Sequence, residues 1–200
     1  MSEFWNERFK QDEFVYGKLP NAFFAEQLAQ IKTPGRLLLP LEGEGRNAVF
    51  AAKQGWTVNA FDASTEGRKK AKILAEQNQV KINYEIAKAE DFDLKTNTYD
   101  AVGLIYAHLN ENIRTKFHHK IIEALKPGGI LILEAFHPNQ RLENYTSGGP
   151  KSLEMLYTPE ILKQDFADLK VLISRTEKID LSEGKHHKGK AFVTRFVAKK

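Results

Sequence analysis

The sequence predicts an α/β protein with a doubly wound, seven-stranded sheet, mostly parallel and finished by an antiparallel C-terminal hairpin. Three observations carry this. First, Arg36-Leu37-Leu38-Leu39-Pro40-Leu41-Glu42-Gly43-Glu44-Gly45-Arg46-Asn47 is an apolar run stopped by a glycine-containing turn, with the alanine-rich helical segment 48–54 directly behind it. Second, an acid, Asp62, ends the next strand-like run, about 20 residues beyond the turn. Third, strand and helix patterns alternate as far as residue 136 and then give way to a loop, a helix and two strand-like runs.

Composition narrows the classes. The 200 residues, 42% hydrophobic and 28% charged, suit a single domain over 1–200. Within it, residues 1–34 read as an N-terminal lid with helices, 35–136 as a ligand-binding core, and 137–200 as a lid loop, helix and closing hairpin. The absence of cysteine excludes disulfides, thiolate metal sites and Cys nucleophiles. No apolar run approaches the roughly 20 residues of a membrane span, and the charged N-terminus lacks a signal-peptide core, so a cytoplasmic protein without a membrane partner is expected. The net charge of +4 is scattered, apart from Arg68-Lys69-Lys70 and the terminal lysines. Such a triplet usually marks a solvated helix face, which argues against a nucleic-acid partner.

Along the chain, the aromatics Trp5, Phe9, Phe14 and Tyr16 admit three uses: packing on the domain, lining a ligand pocket as a lid, or meeting a partner. Asn21 is placed to cap a helix that carries Phe24, Leu28 and Ile31 on one face. Glycines at 43 and 45 allow a sharp turn and close approach of a ligand, and the amides at the following helix start are available to its polar groups. Gly55 ends that helix as C′. Thr57–Phe61 is the second strand. Asp62 suits a ribose diol, because a carboxylate accepts a hydrogen bond from each hydroxyl, and Ser64 suits the cap of the next helix, about 65–79. Lys81–Ile86 is the third strand, and it leads into Ala87-Lys88-Ala89-Glu90-Asp91-Phe92. There the acids can accept from an amino-substituted base, and Phe92 either flanks that base or fills core.

Tyr99–Ile105 is the fourth strand, with Tyr106 and His108 at the carboxyl edge where open α/β sheets bind ligands. Asn110 caps a helix striped by Ile113, Phe117, Ile121 and Leu125, and Lys126-Pro127-Gly128-Gly129 terminates it. Ile130–Phe136 is a buried fifth strand ending at His137. Residues 138–157 form a loop long enough to be a lid. Thr158-Pro159-Glu160 opens a helix, and the runs 169–180 and 190–198 form the hairpin. Its loop carries His186 and His187, which are expected to be exposed, with reach to the pocket mouth as the alternative. His118 and His119 diverge by about 100° on a helix, and no metal-ligand pair stands at helical spacing, so no metal is expected.

The ordered set of Gly43-x-Gly45, Asp62, Ala89-Glu90-Asp91-Phe92, Tyr99-Asp100 and Lys126-Pro127-Gly128-Gly129 resembles class I S-adenosylmethionine-dependent methyltransferases, which have a Rossmann-like fold. Gly43-x-Gly45-Arg46-Asn47 and Tyr16-Gly17-x-x-Pro20-Asn21 are similar to the tellurite-resistance and thiopurine methyltransferase branch. The resemblance implies S-adenosylmethionine as cofactor. Glu42, Gly43, Glu44, Gly45, Arg46 and Asn47 would cradle its methionine part, Asp62 and Ala63 its ribose, and Ala89, Glu90, Asp91 and Phe92 its adenine, with Ile105 and Tyr106 beside them. Two departures stand out: Leu39 falls where the family has an acid, and Leu41 where it has its first glycine. Glu42 or Glu44 would then meet the cofactor ammonium.

A sulfonium methyl is already activated, so the protein must chiefly align the reactants and exclude water. His108 and His137 are the base candidates by position, and Tyr16 faces the substrate with them. A thiol or chalcogen acceptor, or another soft anion, suits such a site, and Arg46 can attract an anion or pair with an acid. Two rival readings are a non-catalytic cofactor-binding or docking protein and an NAD-dependent oxidoreductase, although position 48 lacks the third dinucleotide glycine.

Overall fold

The computed structural model describes residues 2–200. Its order is α1 (Ser2–Phe9), α2 (Ala22–Ala29), β1 (Arg36–Pro40), α3 (Arg46–Lys53), β2 (Thr57–Asp62), α4 (Thr65–Gln77), β3 (Asn83–Ile86), β4 (Tyr99–Ile105), α5 (Glu111–Ala124), β5 (Leu125–Phe136), α6 (Asn139–Leu142), a 3-10 turn (Leu153–Met155), α7 (Pro159–Asp165), β6 (Lys170–Ser182) and β7 (Lys188–Lys199). The seven strands form one sheet in the order β3-β2-β1-β4-β5-β7-β6. β1 to β5 run parallel, and β7 pairs antiparallel with both β5 and β6. The sheet therefore matches the predicted class.

Side-chain alternation makes the sheet doubly wound, since successive residues of a strand face opposite sides. Leu37 and Leu39 of β1 join a core with Phe24 and Leu28 of α2, Ala51 of α3 and Ala71 of α4. Leu38, between them, joins the other core with Phe117 and Ile121 of α5 and Leu162 of α7. The order reverses between β1 and β4. That switch opens a crevice outside the strands' carboxyl ends, where the functional cavity lies.

Short-range signals set the helix boundaries. Asn21, Ser64, Asn110 and Thr158 each accept, through their side chains, the backbone N–H three residues on, so all four expected caps are present. At the end of α3, the N–H of Gly55 reaches Ala52 O and that of Trp56 reaches Ala51 O, with Gly55 at φ +88°. This is a Schellman closure.

The structure corrects several boundaries. Residues 2–9 form a helix. Lys126–Gly129 does not lie beyond α5 as a separate stop, because β5 already begins at Leu125, which pairs with Tyr99. The pairing then shifts, and it resumes at Ala101 with Ile130. The stretch is an irregularity inside the strand, and Leu125 belongs to that strand and not to the α5 stripe. No helix among the described residues is long and apolar enough to cross a membrane.

Candidate active site

A cavity of about 930 Å³ opens at the carboxyl ends of β1, β2 and β4, within the roughly 300–1,000 Å³ usual for small-molecule sites. Its floor is the turn after β1. Leu41 stands there at φ +54°, a left-handed conformation that costs a non-glycine residue about 1 kcal/mol or more. Leucine thus holds a left-handed backbone at the position where the resembled family has its first glycine. Gly45, at φ +85°, is required on a second ground: an added Cβ would sit 2.5 Å from the Ala71 Cβ. For Gly43 the neighbour is the Phe9 ring, at 3.1 Å from such a Cβ, and Gly43 also lines the cavity.

The two glutamates of the turn take different tasks. The Glu44 carboxylate accepts from the Lys70 ammonium at 2.8 Å and from the N–H groups of Val15 and Tyr16, each at 3.2 Å. It binds the N-terminal segment to α4. Like Glu44, Glu42 lines the cavity. Its Oε1 accepts the Asn47 and Ala48 N–H groups, each at 2.8 Å, while Oε2 receives only a long 3.3 Å contact from Asn47 Nδ2. Glu42 therefore caps α3 and takes up the amides expected to be free for a ligand. Burial pushes its carboxyl up to about 7, against the bonds from Ala48 and Asn47. Leu39 is fully buried in the core and brings no polar group. Gly45 and Asn47 support the turn from behind and are not among the lining residues.

Asp62 and Ala63, at the end of β2, line the cavity. The Asp62 carboxylate accepts the Gly43 N–H at 3.1 Å and the Ser64 N–H at 2.8 Å, tying the two turns together. Burial pushes it up to about 6 against those two bonds. The Tyr84 hydroxyl donates to Gly43 O at 2.6 Å beneath the turn. Ala89 and Glu90 also line the cavity, as do Ile105 and Tyr106. Asp91 is exposed and away from it. Phe92 stacks on Phe61 at 4.0 Å inside the core, so of its two expected uses it takes core filling.

The far wall and roof come from α1, Tyr16, the 148–155 loop and the β6–β7 turn. Trp5, Arg8, Phe9 and Tyr16 line the cavity, with Trp5 stacked on Phe9 at 5.4 Å and Arg8 donating to the Tyr16 hydroxyl at 2.9 Å. Burial raises the Tyr16 hydroxyl above its ordinary value. His187 is also buried on this wall, its ring 4.5 Å from Tyr16 and 4.6 Å from Tyr106. The expectation of exposure fails for His187, because the hairpin turn folds inward over the cavity. Its Nδ1 lies 3.2 Å from Glu183 Oε2, which also receives Arg46 Nη2 at 2.9 Å. Burial works to raise the Glu183 carboxyl, but His187 and Arg46 outweigh it and hold it at about 2. Arg46 is thus paired with an acid.

The two expected base candidates fare differently. His108 lines the cavity, yet its Nδ1 is 2.6 Å from the Met155 carbonyl and its Nε2 accepts the Phe136 N–H at 3.2 Å. Both nitrogens are occupied, and burial pushes the ring down to about 4. His108 fastens the lid loop to β5 and holds no free lone pair for a proton. His137 is outside the lining; its Nδ1 accepts the Asn139 N–H at 3.1 Å and its ring packs on Phe192. It shapes the turn into α6. No metal-holding group of acids and histidines occurs among the described residues.

Residues 42–129 match the family described as a methyltransferase domain. Solved structures share the fold of this chain across most of its length. A protein studied for conversion of a disulfide bond into a thioacetal group during echinomycin biosynthesis aligns at TM-score 0.80 and 14% identity, over 100% of this chain and 92% of its own. A SAM-dependent methyltransferase from Methanosarcina mazei gives 0.72 and 17%, over 91% and 99%. TehB from Haemophilus influenzae gives 0.73 and 14%, over 100% and 66%. No curated protein sequence matches the chain.

Sequence reasoning missed the polar cluster behind the far wall. Glu134, fully buried on β5, accepts from Asn21 Nδ2, the Tyr106 hydroxyl and Arg195 Nε at 2.6, 2.8 and 2.6 Å. Asn21 also donates to Glu183 at 3.0 Å. An acid inside the otherwise apolar run 130–136 is the one signal that could have revealed it, since a buried charge requires partners.

Proposed function

We propose that the chain catalyses methyl transfer from S-adenosylmethionine to a small-molecule acceptor with a soft nucleophile, such as a thiol or a chalcogen anion. One observation carries the reading: two acids, Glu42 and Asp62, face one cavity from the ends of adjacent parallel strands at the sheet's switch point. The cofactor fits these residues. Glu42 Oε2 has capacity for an ammonium group, and Asp62 uses its two oxygens on one backbone N–H each, leaving lone pairs for a diol. Of the two glutamates, Glu42 takes the ammonium, because the Glu44 carboxylate is already paired with a cation, Lys70. When bound, the cofactor supplies an electrophilic methyl group on a sulfonium.

The chain's own part is to hold, orient and dry the reactants. Glu42 and Asp62 fix the donor end, Ala89, Glu90 and Ile105 flank the base, and Trp5, Tyr16, Tyr106 and Phe136 wall the acceptor end with apolar surface that excludes water. The roof of α1 and the 148–155 loop supports a small acceptor over a macromolecular one. The chain 1–200 acts as one domain in this reading. The resemblance to the tellurite-resistance branch is supported by the fold likeness to TehB and by Tyr16 and Asn21, both of which the structure ties to the cavity region.

Calorimetric titration with S-adenosylhomocysteine, with NAD as control, tests the reading. Micromolar binding of the former and none of the latter is expected. Failure to bind either would favour a docking protein that has lost its ligand, and binding of NAD alone would favour an oxidoreductase. Asp62→Ala should weaken S-adenosylhomocysteine binding strongly in a protein that stays folded, and unchanged affinity would sink the ribose assignment.

A further inference from the structure

We propose that His187, held by Glu183, is the base that takes the acceptor's proton, so that the acceptor enters as a protonated thiol or hydroxyl compound. The inference rests on the methyltransferase reading and deepens it. Of the chain's six histidines, His108 and His187 line the cavity, and His108 has both nitrogens occupied. His187 differs in the one respect that matters. Its Nδ1 donates to the Glu183 carboxylate, which fixes the tautomer and leaves the lone pair on Nε2. Nε2 has no hydrogen-bond partner among the described residues; its edge of the ring faces Gly148 of the lid loop, and His187 lines the cavity. The ring stands against Tyr16, Tyr106 and Phe136, the apolar wall of the acceptor end.

Glu183 is a positioning residue with a fixed charge. Arg46 and His187 hold its carboxyl at about 2, so it stays ionised at working pH. The charged and titratable groups around His187 are Glu183 on its own turn, His186 beside it, Arg46 on α3, Tyr16 from the N-terminal segment, and Tyr106 and His108 after β4. Glu183 favours the imidazolium, while burial and Arg46 oppose it. The ring is therefore neutral before the reaction and stabilised once it carries a proton.

The step balances without another reactant. The acceptor's S–H or O–H proton passes to Nε2, and its lone pair forms the new bond to the methyl carbon. The methyl–sulfonium bond breaks with its electron pair going to sulfur, and the imidazolium later loses its proton to water. An acceptor that is already an anion, such as a chalcogen oxyanion, would leave this dyad without a task.

Nitrogen NMR of the ring tests the resting state without turnover. A neutral ring protonated on Nδ1 is expected, with a titration that falls by roughly one to three units in Glu183→Gln; protonation on Nε2, or no shift, overturns the proposal. Turnover is then read as S-adenosylhomocysteine release with mercaptoethanol, para-cresol and inorganic selenite. Methylation of a protonated probe is expected, with kcat about 100-fold lower in His187→Gln and the acidic limb of its pH profile lost, at unchanged S-adenosylhomocysteine affinity. Turnover of selenite alone, of no probe, or equal kcat in the variant overturns it. Loss of S-adenosylhomocysteine binding by the unaltered protein would instead strike the methyltransferase reading.

Discussion

The cavity is bounded by two glycine-containing turns, each carrying a partly buried carboxylate, and they behave oppositely. The floor turn, 41–47, holds Glu42 through N–H groups five and six residues away. The wall turn, 183–187, holds Glu183 through Arg46 and Asn21, which lie 137 and 162 residues away, and through nearby His187. Backbone amides do not offset the desolvation of Glu42, which rises to about 7. A guanidinium and an imidazole more than offset it for Glu183, which falls to about 2. Neutral donors organise a buried acid, whereas cations keep it charged. The floor can thus vary its charge with ligand and pH, while the wall carries a permanent one.

The largest effect expected from breaking this contrast is on stability at the wall. Glu183→Ala strips the partner from Arg46, a buried cation, and should cost about 3–5 kcal/mol in a urea melt. At the floor the corresponding change acts on binding. Glu42→Gln should weaken S-adenosylhomocysteine about 10- to 100-fold, the worth of one charge-assisted bond, with little change in stability below about pH 4.5; calorimetry beside a melt separates the two.

A finer test is pH. The folded pKa of Glu42 is raised from 4.5, so its contribution declines as pH climbs from about 4.5 through about 7. The folded pKa of Glu183 is lowered, so its contribution is full above about 4.5 and is lost as pH falls towards about 2. His108, lowered from 6.5 to about 4, adds a slope opposite to that of Glu42 between those values. The Glu42 signal must therefore be read as the difference between Glu42→Gln and the unaltered protein. The variant should gain relative stability as pH rises to about 7, and a flat difference would refute the raised pKa.

The smallest expected effect is that of Leu41→Gly, which should leave melting within about 1 kcal/mol. Relief of positive-φ strain and the added freedom of the unfolded chain act in opposite directions.

What could be read from sequence follows the same division between near and far. The four caps at Asn21, Ser64, Asn110 and Thr158 were legible because each bond spans three residues. The parallel run of the first five strands and the antiparallel closing hairpin were legible from the alternation of strand and helix patterns. Asp62 and the glycine turn were legible because their spacing is local. Lys70, Glu134, Glu183 and Arg195 were not, since each acts through a partner 26 or more residues distant. His187 looked exposed because a histidine in a hairpin loop usually is, and nothing near it in sequence shows that α1 and Tyr16 come to cover it. His137 was misplaced by a single turn of chain: the end of β5 reaches the cavity with Phe136, and the next residue already points into the bend before α6.

Leu41 carries a further consequence. A glycine in its place would be a hinge, indifferent to several backbone shapes and settling into one only as the protein folds. Leucine has fewer shapes to lose, and the one it holds here is among its costlier ones. The floor of the cavity is accordingly closer to a bent leaf spring than to a joint: its shape is set before any ligand arrives, and the neighbours that hold it bent, Tyr84 and Asp62 on Gly43 and Phe61 on Glu42, are clamps whose loosening would let the turn snap flat.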